Sequence, residues 1–235
     1  MSLSETPNYH DDNHHIIDNF NAVKEEVREL SLDTPKNSGI TIPHIIVVTK
    51  RHPKEHILPL LSIGHTQFGE NKVQEAQSKW QELKASYPVT LHLIGGLQTN
   101  KVADAVALFD VIQTVDREKL ARALKKEMDK QQRHITCYIQ INTGEEPQKS
   151  GILPLEAPEF IRYCQHDLKL NIEGLMCIPP KDCNNALHFT LLHKMAKQHN
   201  IPHLSMGMSD SYQQAIQSGA THIRIGTRIM GERQP

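Results

Sequence analysis

Eight short β-rich runs alternate with longer helical stretches between residues 44 and 225, and this alternation constrains the fold more than any other feature. The predicted strands cover 44–49, 65–68, 89–94, 110–114, 135–142, 171–176, 202–206 and 221–225. Helices are expected near 53–62, 71–85, 99–107, 117–131, 155–167, 184–199 and 209–218. Such β-α repetition makes a parallel sheet, either doubly wound and open or closed as a (β/α)8 barrel. The first run, Ile45-Ile46-Val47-Val48, is apolar throughout, as a parallel strand covered on both faces must be. Eight strands in 235 residues favour closure, so the expected fold is a single-domain α/β chain of the TIM-barrel class. Ahead of the barrel, Ile16, Phe20, Val23, Val27 and Leu30 recur at helical spacing until Asp33-Thr34-Pro35 and Asn37-Ser38-Gly39 break the pattern. The expected organisation is a flexible polar tail over 1–15, then one barrel over 16–235 that begins with an extra helix.

Composition removes several functions. A net charge of −1 and 23% charged residues leave no basic excess for a phosphate backbone, so no nucleic-acid partner is expected. No stretch approaches the roughly 20 apolar residues that cross a bilayer, and MSLSETPNYHDDNHH lacks the apolar centre of a signal peptide. The expectation is a cytoplasmic protein with no membrane partner. Cys137, Cys164, Cys177 and Cys183 are irregularly spaced without a C-x-x-C, which suits buried reduced thiols better than disulfides or zinc. Among fifteen histidines, His10, His14 and His15 gather beside Asp11 and Asp12 near the start, where no rigid element fixes ligand geometry; no metal is expected.

Functional groups of a (β/α)8 barrel gather where the strands end, and Lys50 directly follows the first strand. A lysine emerging from an apolar strand into a cavity is partly desolvated, which frees its amine to attack an aldehyde. The loops after strands 7 and 8 are the usual phosphate holders in such barrels. Strand 7 runs into Leu204-Ser205-Met206-Gly207-Met208-Ser209-Asp210, where Gly207 admits a close backbone approach, Ser205 supplies a hydroxyl, and Ser209 or Asp210 caps the next helix. Strand 8 runs into Arg224-Ile225-Gly226-Thr227, again a glycine and a hydroxyl at a turn. Alternation along Ile223-Arg224-Ile225 points Arg224 into the barrel if its neighbours face the helices, and there it must meet a ligand or a carboxylate. A reactive lysine, a phosphate cradle and an inward arginine together suggest pyridoxal 5′-phosphate, whose ring nitrogen is met by a carboxylate or an arginine. An arginine there leaves the nitrogen unprotonated and weakens the ring as an electron sink.

The motifs VVTKRHP around Lys50, FGENKVQEA from Phe68, LHLIGGLQTNK from Leu91, IQTVDREKLA from Ile112, IQINTGEEPQKSGI from Ile139, IEGLMCIPP from Ile172, LSMGMSDSYQQAI from Leu204 and IRIGTRIMGER from Ile223 run in order along the chain. In these the sequence resembles the pyridoxal phosphate homeostasis proteins of the YggS/PROSC type, which share their barrel with the N-terminal domain of bacterial alanine racemase. The resemblance covers nearly everything from residue 44 onward and is most specific in F-G-E-N, L-S-M-G-M-S-D and R-I-G-T. It implies that Lys50 holds the cofactor as a covalent aldimine, that Ser205, Gly226 and Thr227 hold the phosphate, and that Arg224 faces the pyridine nitrogen. It also places Asn71 near the cofactor and Met206 and Gly207 along the phosphate loop. Two departures stand out: Gly96 replaces a usual proline, and Arg51-His52-Pro53 follow the lysine in place of smaller residues, which bears on access to the pocket.

Other residues carry two readings. Lys72, Lys101 and Lys149 either line the mouth of the site or stay solvated; Glu70 and Asp210 either orient loops or transfer protons. Trp80, Met176 and Met195 read as packing. Racemisation needs a base on each face of the cofactor, and Lys50 can serve one. In alanine racemase the opposing tyrosine comes from a C-terminal β domain of the partner subunit, whereas this chain ends at Pro235, just after the last strand. Of Tyr9, Tyr87, Tyr138, Tyr163 and Tyr212, only Tyr212 is expected near the site. The preferred reading is therefore a monomeric carrier, not an enzyme, that holds pyridoxal phosphate and other B6 vitamers and delivers the cofactor to apo-enzymes. A fold-type III amino-acid racemase and a cofactor-free aldolase with a Schiff-base lysine remain the alternatives.

Overall fold

The computed structural model describes residues 14–32 and 42–232. Eight strands, β1 (His44–Val48), β2 (Gln67–Glu70), β3 (Thr90–Leu93), β4 (Val111–Val115), β5 (Thr136–Ile141), β6 (Ile172–Cys177), β7 (His203–Met208) and β8 (His222–Ile225), pair in chain order as a closed barrel. All pairs are parallel, and β8 closes on β1 with Ile45 opposite Ile223 and Val47 opposite Ile225. Closure decides against the open, doubly wound sheet.

Between the strands run α2 (Leu58–Ser62), α3 (Val73–Ser86), α4 (Val102–Leu108), α5 (Glu118–Gln131), α6 (Ala157–Arg162), α7 (Asn185–Gln198) and α8 (Tyr212–Gln217). Helix α1 (His14–Leu32) precedes them and α9 (Thr227–Met230) follows β8. The helices form where apolar residues recur every three to four positions: α5 buries Leu120, Ala121, Leu124 and Met128 and turns its charges outward. Every residue of β4 is buried, Gln113 and Thr114 included, because a barrel strand is covered by helices on one face and by the filled interior on the other.

Helix α1 belongs to this body. Ile16, Phe20, Val23 and Val27 are buried where the helix packs on α2, α8 and α9, Asn19 Nδ2 donates to the Ile229 carbonyl (3.2 Å), and Arg228 pairs with Glu26 (3.0 Å). His14 and His15, counted with the tail from sequence, start this helix; residues 1–13 of that tail, including His10, and the breaks at 33–35 and 37–39 lie outside the described residues.

Several boundaries differ from the sequence expectation. Strand β2 lies at 67–70, not 65–68: Gly69 and Glu70 resemble turn residues yet continue the ladder opposite His92 and Leu93. The stretch 53–62 divides into a 3-10 turn (Lys54–His56) and α2, with Pro59 in the first turn of the helix, where its missing N–H costs nothing. Helix α8 starts at Tyr212 with Ser211 at its N-cap, so neither Ser209 nor Asp210 caps it. All four cysteines are free thiols, three of them buried.

The N-terminal mouth of the barrel is lined with histidine. The His222 ring lies 5.1 Å from His44, 5.3 Å from His203 and 5.8 Å from Tyr138. Burial pushes His222 down to about 2 and His92 down to about 3, so both are neutral at physiological pH. Among the described residues no three histidine, cysteine or carboxylate side chains are arranged to hold a metal, and no helix is long and apolar enough to cross a membrane.

Candidate functional site

At the opposite, C-terminal mouth a cavity of about 230 Å³ is lined by Val48, Lys50, Asn71, Ile94, Ile178, Met208, Ser209, Asp210, Arg224, Gly226 and Thr227. Strands β1, β2, β3, β6, β7 and β8 all deliver residues to it from their C-terminal ends, as the barrel geometry demands.

Lys50 sits at the end of β1 in a loop that is pinned from below. Lys79 Nζ on α3 donates to the carbonyls of Thr49 (2.8 Å) and His52 (3.3 Å), bracketing Lys50 and Arg51. Its charge is met by Glu70 (2.7 Å) and Glu75 (3.0 Å). Glu70 also accepts from Thr49 Oγ1 (2.7 Å) and Trp80 Nε1 (3.0 Å), and Glu75 accepts the Arg51 backbone N–H. Burial pushes the Glu70 carboxyl up, and the Lys79 ammonium pulls it back. Arg51 is left-handed (φ 62°), an uncommon conformation for a residue with a side chain, and the bonds on either side of it hold that turn. Glu70 therefore orients a loop, and Trp80 does more than fill space.

Arg224 points inward and is almost wholly buried. Alternation along β8 calls for a ligand or a carboxylate beside it, yet among the described residues its guanidinium makes no ion pair. It donates instead to Ser205 Oγ (2.7 Å) and the Cys177 carbonyl (2.9 Å) while lining the cavity. Burial lowers its pKa to about 10, which still leaves it a cation at neutral pH. A buried cation compensated only by neutral dipoles favours an acceptor in the cavity.

The loops after β7 and β8 face each other across the same space, with Thr227 Oγ1 donating to Ser209 Oγ at 3.3 Å. The first N–H groups of α9, which have no partner within the helix, start at this wall. Gly95, at the end of β3, allows Asn71 into the lining: a Cβ there would lie 2.3 Å from the Asn71 carbonyl oxygen. A Cβ at Gly96 would meet only Ser150 Oγ, at 3.9 Å, so nothing around that position demands glycine.

Of the residues singled out from sequence, Lys50, Asn71, Arg224, Gly226 and Thr227 come together in the lining. Ser205, Met206 and Gly207 do not. Ser205 lies beneath Arg224 in the barrel interior, Met206 is core, and Gly207 (φ 87°) lets β7 approach α8, where a Cβ would meet Ala215 Cβ at 2.5 Å. The glycine is thus required by the helix packed behind β7. Met208, Ser209 and Asp210 take their place at the cavity. Lys72 and Lys101 border a second depression that shares Asn71, while Lys149 pairs with Glu146 at 2.5 Å. Tyr212, expected near the site, turns away: its hydroxyl accepts from Arg228 at 2.7 Å beside Glu26. None of the four described tyrosines lines the cavity. The Lys79–Glu75 clamp escaped sequence reading, although the two residues stand four apart on one helix face.

A closed parallel barrel with a lysine at the end of β1 and an arginine at β8 defines the class: residues 19–234 match the family model described as alanine racemase, N-terminal domain. The pyridoxal phosphate homeostasis protein of Pasteurella multocida is 38% identical over 200 residues, covering 80% of this chain and 86% of that protein. The Haemophilus influenzae protein of the same name is 33% identical over 229 residues, covering 93% and 96%. The chain belongs to the pyridoxal phosphate homeostasis protein family. Among solved structures, PipY of Synechococcus elongatus without pyridoxal phosphate superimposes with a TM-score of 0.78 at 32% identity, covering 89% of this chain and all of that one. The same protein with pyridoxal phosphate bound gives 0.74 at 30%. Alanine racemase of Clostridium difficile, at 14% identity and a TM-score of 0.70 over 93% of this chain and 59% of that one, shares the fold.

Proposed function

We propose that this chain binds pyridoxal 5′-phosphate in the β1/β7/β8 cavity, attached covalently through Lys50, and serves intracellular cofactor homeostasis as a carrier rather than as an enzyme. The observation that carries the reading is the convergence, in one cavity, of Lys50, the Arg224 guanidinium and the Ser209 and Thr227 hydroxyls. The donor set fits the group. Arg224 supplies N–H donors to an unprotonated ring nitrogen, Gly226, Thr227 and Ser209 supply donors to a phosphate, and Asn71 supplies an amide beside them. When bound, the cofactor brings an aldehyde that amines capture reversibly. Ser205, Met206 and Gly207 act behind the lining in this reading.

The family supports a carrier role, since its curated members bear the name of homeostasis proteins. Residues 16–235 act as one domain in this reading, a cytoplasmic monomer whose partners are the cofactor, other B6 vitamers and the apo forms of enzymes that use it. Incubating the loaded protein with an apo-enzyme should restore that enzyme's activity, while exchange of the L-alanine α-proton in heavy water stays at the rate of free cofactor. Exchange at ordinary enzymatic turnover, roughly 1 s⁻¹ or faster, would make it a racemase instead.

A further inference from the structure

A single file of hydrogen bonds crosses the barrel interior beneath Arg224. The guanidinium donates to Ser205 Oγ (2.7 Å), and Ser205 Oγ donates to Gln113 Oε1 (2.6 Å). Gln113 Nε2 then meets His92 Nδ1 (2.9 Å), and His92 Nε2 meets Gln67 Oε1 (2.8 Å). These residues come from β8, β7, β4, β3 and β2, and Arg224, Ser205, Gln113 and His92 are all buried. The file runs from the wall of the cavity toward the opposite mouth.

Its polarity follows from chemistry. Arginine has only donors, so Ser205 accepts from it and gives its one proton to Gln113 Oε1. The amide oxygen is then occupied, so Gln113 turns its NH2 to His92, whose Nδ1 must accept. His92 is left with its proton on Nε2, donated to Gln67. A proton on His92 Nδ1 would force the Gln113 amide to flip and present NH2 to Ser205, whose hydroxyl would then have to turn its proton elsewhere. The groups around His92 leave it little reason to take one up: Gln67 and Gln113 are neutral, His44 and His222 add no negative charge, and burial holds it neutral down to about 3.

We propose that His92, Gln113 and Ser205 are positioning residues that fix the orientation of the Arg224 guanidinium toward the cavity, and so set how strongly it donates to whatever acceptor binds there. The role rests on the proposed reading that the acceptor is the ring nitrogen of pyridoxal phosphate. It assigns Ser205 to the ring end of the site through Arg224 instead of to the phosphate.

The test compares wild type, Gln113→Leu and Ser205→Ala, each loaded with pyridoxal phosphate and checked for folding by circular dichroism. The expected result is that both variants keep the cofactor but move its visible absorbance maximum, and move the midpoint of that band's pH titration by about one unit. Unchanged maxima and midpoints in both folded variants would overturn the proposal. A second measurement needs neither variant nor cofactor. The ¹⁵N shifts of the His92 ring should show a bare Nδ1 and a protonated Nε2, constant between about pH 5 and 8, and the opposite tautomer or a titration there would overturn the polarity. Failure of the wild type to take up pyridoxal phosphate would sink the underlying functional reading, while the histidine measurement would still judge the file.

Discussion

Lys50 is one lysine at one strand end, and its environment distinguishes it from the others. The residue that matters most to that environment is Lys79, whose ammonium holds the carbonyls on both sides of Lys50 and is itself held by Glu70 and Glu75. Removing one member of a buried ion pair strands the other charge, so Lys79→Met should cost about 3–5 kcal/mol of stability, read as a lowered urea midpoint. In a variant this destabilised, cofactor retention should fall as well, because the loop at Thr49–His52 loses its anchor. A Lys79→Met protein as stable as wild type would show that the clamp carries no weight. Sequence alone marked Lys50, Arg224 and Thr227 because strand ends and side-chain alternation are legible in one dimension. Lys79 and Gln113 were not found, since the carbonyls that Lys79 holds and the side chains that Gln113 meets lie 20 or more residues away, although the alternation that turned Arg224 inward applies equally to His92 and Gln113.

At the scale of elements, β7 and α8 explain why part of the expected phosphate loop sits outside the cavity. Gly207 is left-handed and tight against Ala215, so Gly207→Ala should cost about 2 kcal/mol or more in backbone strain and displacement of α8, measured by thermal unfolding. Its effect on the cofactor should be indirect, through Met208 and Ser209, which follow it into the lining. A stable Gly207→Ala variant with weakened cofactor binding would put Gly207 back at the ligand. Periodicity located every strand and helix between residues 44 and 225, but misjudged where β2 and α8 begin. In both cases the deciding residues are polar and buried or capping: Glu70 continues β2 because Lys79, Thr49 and Trp80 satisfy it, and Ser211 takes the N-cap of α8 while its Oγ accepts from Met208 N (3.1 Å).

At the scale of the whole molecule, the barrel is a tube with two different ends: histidines at the N-terminal mouth, the lysine and arginine at the other, and a polar file between them. The buried histidines make stability depend on pH. Burial holds His65 down to about 4, His92 to about 3 and His222 to about 2, all below the unfolded value near 6.5. Unfolded chains therefore bind protons that the native barrel refuses, so the stabilising contribution of these neutral rings is complete above about pH 6.5 and declines as pH falls toward 4. Each should contribute a slope of up to about 1.4 kcal/mol per pH unit, seen as a falling urea midpoint, and His222→Gln should flatten it. A midpoint constant from pH 7 to 5 would contradict this description of the barrel floor. The other mouth is the one proposed to hold the cofactor. The most direct measurement is borohydride reduction of the protein mixed with pyridoxal phosphate, followed by mass spectrometry of its peptides. One pyridoxyl group is expected, on Lys50, and none in Lys50→Ala; a label on another lysine, or none in the wild type, would overturn covalent attachment at Lys50.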